Sequence, residues 1–319
     1  MNRYNPMISV IMSVYSEPLE WIQESIDSIL QQTFNDFEFI IINDNPNRQE
    51  LYAFLQRNKA KDKRIDIINN SVNIGLTKSL NIGVGKAQGK FIARMDADDI
   101  SVPCRFEKQL QFLNNNPGIG VCGSSIQLFG EQTGVIRYPV ENDEMFLFIE
   151  SCFAHPTVMA RSDIFKSNKY NESIKVAQDY DLWTTLKGLG VQFGNIKDPL
   201  LHYRRSKIQI SSSKRELQME VSRQIRRRAF DDYCKHKNVD FEMSDKPITY
   251  ALIDEINQII TLPDVILRTL NFYLLLSIRD NVIKLSINML RYRFFHKLRF
   301  YDAFRIYYHS LRHSFQLKF

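Results

Sequence analysis

Apolar and polar positions along the first hundred residues predict strands and helices in turn. Residues 8–15 (ISVIMSVY) and 37–42 (FEFIII) are near-continuous apolar runs, which are typical of parallel strands covered on both faces. After Pro18, apolar residues recur at the spacing of a helix: Trp21, Ile22, Ile26, Ile29 and Leu30. Further along, we expect a strand at 65–68, a helix at about 76–86 and a strand at 90–95.

This alternation predicts an α/β fold, Rossmann-like, with a mostly parallel sheet flanked by helices. In such sheets ligands bind beyond the carboxyl ends of the strands. Polar residues follow each of the four predicted strands: Ser13 and Tyr15, Asp44, Asn73, and the run Asp96-Ala97-Asp98-Asp99. We therefore expect these segments to meet at one edge of the sheet and to form a binding site.

The acidic run at the end of the fourth strand has two interpretations. Carboxylates are the hard oxygen ligands that Mg²⁺ and Mn²⁺ prefer, and such an ion neutralises a diphosphate and stabilises its departure. The alternative is a solvated acidic loop that caps the next helix. Placement at a strand end beside the other polar segments favours the metal site.

Four segments, in order, resemble the glycosyltransferase family 2 enzymes with the GT-A fold. They are IMSVYSEP, FIIINDNP, the long stretch from NIGLTKSL to ARMDADD, and AQDYDLW. The resemblance covers about residues 7–215. It implies a metal-dependent, inverting transfer of a sugar from a UDP-sugar to a hydroxyl acceptor, with Mn²⁺ or Mg²⁺ as cofactor.

The resemblance also assigns roles to individual residues. Asp179 matches the general base, which would take the proton of the attacking hydroxyl. Asp98 and Asp96 match the metal-binding pair, with Asp96 also near the ribose, and Asp44 matches an aspartate that recognises the uracil. Residues expected to bind the nucleotide sugar are Ser13, Val14, Tyr15, Glu17, Asp44, Asn73, Lys78, Asp96, Ala97 and Asp98. Two positions depart from the usual pattern: Asn43 replaces an aspartate, and Gln178 replaces a glutamate.

Other polar residues keep two interpretations each. His202 is a candidate third metal ligand, or a structural histidine. Lys78 and Arg204 are candidates for diphosphate contact, or solvated surface cations. His155 lines an acceptor pocket, or packs at the start of a strand. Asp181 is expected to be structural, at the beginning of a helix where the backbone dipole favours carboxylates.

Charge separates the C-terminal region from the rest of the chain. Residues 263–319 carry ten Lys/Arg and three Asp/Glu, so the net charge of +6 is a property of the tail. We predict a catalytic domain at 1–215 and a mostly helical, basic appendage at 216–319. The appendage is rich in aromatic residues, which favours an anionic membrane surface; packing on the catalytic domain is the alternative. The apolar stretch 265–278 is too short to span a membrane, and no nucleic-acid-binding motif is present.

These features place the predicted enzyme in the cytoplasm, peripheral on the inner face of the cell membrane. The four cysteines have no paired spacing, and residues 1–6 have no signal-peptide pattern. A saccharide acceptor carried on a lipid would suit the assembly of O-antigen or capsule, and the absence of a QxxRW sequence argues against a processive synthase. The alternatives are a nucleotidyltransferase, which would carry a glycine-rich basic loop after the first strand, and a non-catalytic scaffold in a membrane assembly complex.

Overall fold

The computed structural model describes residues 5–140, 151–206 and 215–236, and this part of the chain contains nine strands and seven α-helices. The strands are β1 (Ile8–Val14), β2 (Phe37–Asn43), β3 (Ile65–Asn69), β4 (Phe91–Met95), β5 (Ile100–Ser101), β6 (Ile119–Gly130), β7 (Gly134–Ile136), β8 (Met159–Arg161) and β9 (Gln192–Arg205). The helices are α1 (Leu19–Leu30), α2 (Gln49–Lys61), α3 (Leu76–Lys86), α4 (Arg105–Asn115), α5 (Ser162–Ser167), α6 (Gln178–Gly188) and α7 (Arg215–His236), and a 3-10 helix spans His155–Thr157.

All the strands belong to one sheet, in the order β3-β2-β1-β4-β8-β6-β9-β5, with β7 paired to β6. The first four strands are parallel to one another. Strand β8 runs antiparallel to both β4 and β6, whereas β6 and β9 are parallel. The predicted α/β class with a flanked, mostly parallel sheet is confirmed.

The elements predicted from apolar periodicity are found at nearly the predicted bounds. Helix α3 spans Leu76–Lys86 as expected, and the strands agree to within one residue at each end. Helix α1 begins at Leu19, so Pro18 stands just before the first turn and not within it. Proline suits this position because its missing N–H is not needed there.

Alternating residues of the central strands form two apolar layers, one on each face of the sheet. In β1, Val10 and Met12 belong to one layer and Ile11 to the other, and all three are almost fully buried. The second layer includes Trp183 of α6, whose ring packs edge-on against Phe153 at 5.3 Å. Because both faces of the sheet are covered, the strands read as near-continuous apolar runs.

Gly89, just before β4, is held where the backbones of two segments approach closely. A Cβ atom there would lie 2.5 Å from the backbone nitrogen of Ser9 and 2.7 Å from the carbonyl carbon of Ile8. We expect Gly89→Ala to lower the free energy of unfolding by about 1–3 kcal/mol, because backbone cannot move aside as a side chain can.

Denaturant unfolding measures this effect, and Gly85→Ala is the matched control. Gly85 lies in α3, where an added Cβ meets nothing within 4 Å. Its replacement should raise stability by up to about 1 kcal/mol through helix propensity. Equal effects of the two substitutions would contradict the assignment of Gly89 to a close backbone approach.

The chain divides into two compact units, residues 1–229 and 230–319. Only residues 230–236 of the second unit are described, so the predicted basic appendage and its membrane contact stay predictions. The stretch 265–278 likewise lies outside the described residues. Among the helices that are described, none has the length and apolarity needed to cross a membrane.

Candidate active site

Three hydrogen bonds order the loops that follow β1 and β2: one lies within the first loop, and two join the loops to each other. The backbone N–H of Tyr15 donates to Oε2 of Glu17 at 2.7 Å, and Nδ2 of Asn45 donates to the carbonyl oxygen of Tyr15 at 3.1 Å. Nη1 of Arg48 donates to the carbonyl oxygen of Glu17 at 2.8 Å. Burial raises the pKa of the Glu17 carboxyl, and the negative charge of Asp96 adds to that rise. The first predicted nucleotide loop therefore lies close to the acidic run.

Asp44, at the end of β2, shapes the turn between β3 and α3. Its buried carboxylate accepts hydrogen bonds from Nδ2 of Asn70 at 2.8 Å, the N–H of Ile74 at 2.9 Å and the N–H of Gly75 at 2.8 Å. Gly75 has a φ of +86°, a conformation that side-chain-bearing residues rarely adopt. Three of the roughly four lone-pair sites of the carboxylate are thus occupied within the protein.

Three carboxylates form an acidic group directly after β4. One carboxylate oxygen from each of Asp96, Asp98 and Asp99 lies within 4.8 Å of the other two. Asp96 and Asp98 are half-buried, whereas Asp99 is fully buried. Burial raises the pKa of Asp99 well above its usual value, and the charges of Asp98 and Asp96 raise it further. Such crowding of like charges is unfavourable unless a cation is shared.

Arg204, near the end of β9, fixes the backbone of the acidic loop. Its Nε donates to the carbonyl oxygen of Asp98 at 2.7 Å, and its backbone N–H donates to Oδ1 of Asp99 at 2.8 Å. Its guanidinium also pairs with Glu24 and lies between two rings, 4.7 Å from Trp21 and 4.4 Å from the ring of Phe129. The interpretation of Arg204 as a surface cation is therefore wrong, since it is a clamp on the loop.

Asp179 stands in the first turn of α6, after an unusual backbone conformation. Ala177 has a φ of +57° and a ψ of 27°, a left-handed conformation that costs about 1–2 kcal/mol outside glycine. Asp179 keeps part of its surface accessible, although protein surrounds it on most sides. Burial raises the pKa of its carboxyl, and the N–H of Tyr180 and the positive charge of Arg94 offset part of that rise. A raised pKa suits a general base.

His155 and Tyr170 form a polar pair within the apolar layer beneath α6. Nε2 of His155 and the hydroxyl of Tyr170 are 2.8 Å apart, and the His155 ring packs edge-on near Trp183. Burial lowers the pKa of His155 well below its usual value, and the charge of Arg94 lowers it further. This histidine is therefore neutral at ordinary pH, and it is part of a packed structure.

Comparison with known proteins identifies the family. The model of glycosyl transferase family 2 matches residues 9–167. Uncharacterized glycosyltransferase MJ1057 of Methanocaldococcus jannaschii is 38% identical over 205 residues, which cover 62% of this chain and 71% of that protein. O-antigen biosynthesis glycosyltransferase WbnJ of Escherichia coli is 37% identical over 206 residues, 62% of this chain and 79% of that protein. The chain belongs to glycosyl transferase family 2.

Solved structures agree on the fold of this family 2 member. The crystal structure of S. aureus TarS 1–349 in complex with UDP-GlcNAc superposes with a TM-score of 0.58 and 18% sequence identity. The match covers 86% of this chain and 80% of that one. At this identity the likeness establishes the GT-A architecture, and the expectation of that fold from the sequence is confirmed.

Several residues predicted to bind the nucleotide sugar lie at the expected edge of the sheet. Ser13 and Val14 end β1, and Tyr15, Glu17 and Asp44 follow the first two strands. Asn73 is exposed in the turn that Asp44 holds, where its Oδ1 accepts the N–H of Gly75, and Ala97 is buried between the aspartates. For this family 2 chain the roles of these residues stay predictions, and their placement is compatible with them.

Two predicted residues have no hydrogen bond or ion pair with the acidic group in the described part of the chain. His202 is exposed on β9, its ring packs edge-on against Phe129, and the group of close carboxylates does not include it. Lys78 is exposed in the first turn of α3, with no hydrogen bond or ion pair to the other site residues described. His202 pairs with Ile100, directly after Asp99, and the binding roles of both residues stay predictions.

Asp181 has the structural role that the sequence favoured. Its buried carboxylate pairs with Nη2 of Arg228 at 2.7 Å, and the same nitrogen lies 3.3 Å from the hydroxyl of Thr184. The pair joins α7 to α6, and Ile225 of α7 is buried in the same apolar layer as Trp183. The first part of α7 therefore packs on the helix that carries Asp179.

Sequence reasoning missed two residues of the site. Asp99 belonged to the predicted acidic run but was given no ligand role of its own, although the third carboxylate of MDADD was a visible signal. Arg94 was also missed: a charged residue in the middle of the apolar strand FIARM, two positions before Asp96. A charge inside a strand that is buried on both faces needs a partner, and that requirement could have drawn attention to it.

Proposed function

We propose that this protein is an inverting glycosyltransferase that moves a sugar from a UDP-sugar to a hydroxyl group of a saccharide acceptor. The observation that carries the proposal is the acidic group after β4, with a separate carboxylate, that of Asp179, within its electrostatic reach. The acidic group after β4 suits a metal and a diphosphate, and Asp179 stands apart from it at the beginning of α6. Family membership supplies the reaction class. The two sites suggest separate roles, diphosphate binding for the acidic group and proton transfer for Asp179.

Asp96, Asp98 and Asp99 fit a divalent cation, Mn²⁺ or Mg²⁺. Their oxygens are close enough to share one ion, and Oδ2 of Asp99 is buried with no hydrogen-bond partner in the described residues. An orphaned buried carboxylate oxygen is costly, so it suits a site that is completed by a cation. When bound, the ion would neutralise the negative charge that develops on the departing diphosphate.

Asp179 acts as the general base in this proposal. A sugar hydroxyl is a weak nucleophile until its proton is taken up, and a positioned carboxylate contributes about 10²–10⁴-fold by doing so. Attack from the side of Asp179, opposite the leaving diphosphate, inverts the configuration at the anomeric carbon. The raised pKa of Asp179 increases its basicity towards the hydroxyl proton.

The proposed acceptor is a lipid-linked oligosaccharide in O-antigen or capsule synthesis. The relative from Escherichia coli is named as an O-antigen biosynthesis enzyme. The basic residues 263–319 would hold the protein at an anionic membrane surface on the cytoplasmic side, within reach of such an acceptor. Nucleic acid is not a proposed partner.

The test is UDP release by the purified protein across a panel of UDP-sugars with Mn²⁺. In the absence of acceptor, we expect slow hydrolysis of one donor, abolished by excess EDTA and restored by Mn²⁺ or Mg²⁺. Calorimetric titration with UDP gives a readout that is independent of turnover. A folded protein that neither binds UDP nor releases it from any donor would support a non-catalytic scaffold instead.

A further inference from the structure

Arg94 is a fully charged side chain buried within the central sheet. It lies on β4, and only 4% of its side chain is exposed. Successive residues of a strand point to opposite faces, so Arg94 and Asp96, two positions apart, share a face at the carboxyl end of β4. Nη1 of Arg94 forms an ion pair with Oδ1 of Asp96. The strand thus carries both members of the pair into the site.

The same guanidinium acts on the opposite side of the site. Burial raises the pKa values of Asp179 in α6 and of Tyr170, and it lowers the pKa of His155 in the 3-10 helix. The positive charge of Arg94 offsets part of the two rises and adds to the fall. Ile92, two positions before Arg94 on the same face of β4, lies in one buried apolar layer with Tyr170 and with Tyr180 and Trp183 of α6, so Arg94 points towards these segments. The buried guanidinium of Arg94 therefore interacts electrostatically both with Asp96, on the side of the nucleotide sugar, and with Asp179, the proposed base.

Packing and stability alone do not explain why an arginine is buried at position 94. Its Nε is buried without a hydrogen-bond partner in the described part of the chain, and its partner Asp96 is itself 30% exposed. Burying a charge with one incomplete ion pair costs more free energy than an apolar side chain of similar volume would. By contrast, Arg161 on the neighbouring strand β8 uses its guanidinium for backbone carbonyls, those of Ile119 at 3.0 Å and Leu113 at 2.8 Å.

We propose that Arg94 is a positioning residue shared by the two halves of the reaction. It holds the carboxylate of Asp96 in place for the nucleotide sugar, and its positive charge, directed towards α6, stabilises the Asp179 carboxylate that takes the acceptor proton. This inference rests on the proposed function and adds to it the link between donor binding and the base. To hold Asp96, Arg94 needs the planar, forked guanidinium group of arginine. To act on Asp179, it needs only a positive charge.

Two substitutions separate these requirements. Arg94→Gln removes both the charge and the fork, and we expect it to weaken UDP binding about tenfold and to lower kcat about tenfold. Arg94→Lys keeps the charge, so we expect UDP binding to weaken while kcat stays within about threefold of the wild type. UDP dissociation constants come from calorimetry, and kcat from saturating donor and acceptor.

Double variants distinguish positioning from a general structural effect. In an Asp96→Asn background, Arg94→Gln should cause no further loss of UDP affinity, and in an Asp179→Asn background it should cause no further loss of kcat. Independent, multiplicative losses in both backgrounds would overturn the inference. Arg161→Gln is the matched control: its melting temperature should fall, while UDP affinity and kcat stay unchanged.

The possible outcomes show whether the inference about Arg94 fails alone or together with the proposed function. A wild-type protein that binds UDP and turns over, with Arg94→Gln unchanged in both respects, overturns the inference alone. A folded wild type without UDP binding or turnover overturns the proposed function and this inference with it. If Arg94→Gln does not fold, Arg94→Lys decides, because unchanged UDP affinity in that variant contradicts the role of the fork.

Discussion

Asp179→Asn is expected to lower kcat by about 10²–10⁴-fold and to leave UDP affinity unchanged. Asparagine has nearly the same shape as aspartate but cannot take up a proton at neutral pH. Asp179 is not one of the three carboxylates that lie close together after β4. Steady-state kinetics with a saturating acceptor, together with calorimetry of UDP, measures the two quantities separately.

The pH dependence of the wild type carries the same information. Burial raises the pKa of Asp179, and only the ionised form can accept a proton. We therefore expect kcat to rise with pH along a limb that lies above the ordinary aspartate pKa of about 3.9. In Asp179→Asn that limb should be absent from the residual activity. A limb that persists unchanged in the variant would assign the base to another residue.

Stability provides the control for this prediction. Because the folded-state pKa of Asp179 is raised, the ionised carboxyl destabilises the folded protein, and this cost grows as pH rises from the unfolded pKa to the folded one. Asp179→Asn removes the cost, so the melting temperature at neutral pH should not fall. Asp181→Asn, two residues along α6, should do the reverse: it weakens the pair with Arg228 and lowers the melting temperature, but it keeps kcat.

Asp98→Asn is expected to reduce metal-dependent turnover by about 10³-fold, since a bound ion contributes several kcal/mol to stabilising the leaving group. A second readout does not involve activity. In the wild type, Mn²⁺ should raise the melting temperature, because it binds the folded carboxylate group and not the unfolded chain. In the variant that rise should be largely lost.

Without added metal, the same variant should be at least as stable as the wild type. Asp98 lies among carboxylates whose oxygens are within 4.8 Å, and removal of one charge relieves their repulsion. Asp66→Asn is the matched control. Asp66 lies on β3 and forms an exposed ion pair with Lys59 of α2, away from the acidic group. It should leave both turnover and the response to Mn²⁺ intact. A full Mn²⁺ response in Asp98→Asn would remove Asp98 from the proposed ligand set.

The sequence predicted the parallel half of the fold and the edge on which the site lies. Apolar runs such as Phe37–Asn43 and the helical spacing of α3 are local patterns, and parallel strands bring their carboxyl ends together by geometry. In the second half, short strands after His155 and around His202 were predicted, but their order and pairing in the sheet were not. Strand β8 is three residues long, and the parallel pairing of β6 with β9 joins segments far apart in the chain, so no local period encodes it.

Individual residues of the site were predictable to different degrees. The aspartates could be recognised because their place at a strand end and their match to the family's segments are both visible in the sequence. The functions of Arg94 and Arg204 depend on which groups the fold places around them: Asp96 and a neighbouring helix for one, two rings and the carbonyl of Asp98 for the other. Asp44 was identified, but its three contacts with the β3–α3 turn were not, because they are set by long-range packing.

The clamp formed by Arg204 also has a consequence for biosynthesis. Arg204 follows Asp98 by 106 positions and Glu24 by 180, so the acidic loop cannot take its final shape while the ribosome has produced only the aspartates. At about 5–20 residues per second, the intervening 106 residues take roughly 5–20 s to synthesise. During that interval a nascent chain carries the signature residues without their finished arrangement. A fragment that stops before β9 would therefore be a poor donor-binding module, although it contains the nucleotide-loop residues and all three aspartates of the acidic group.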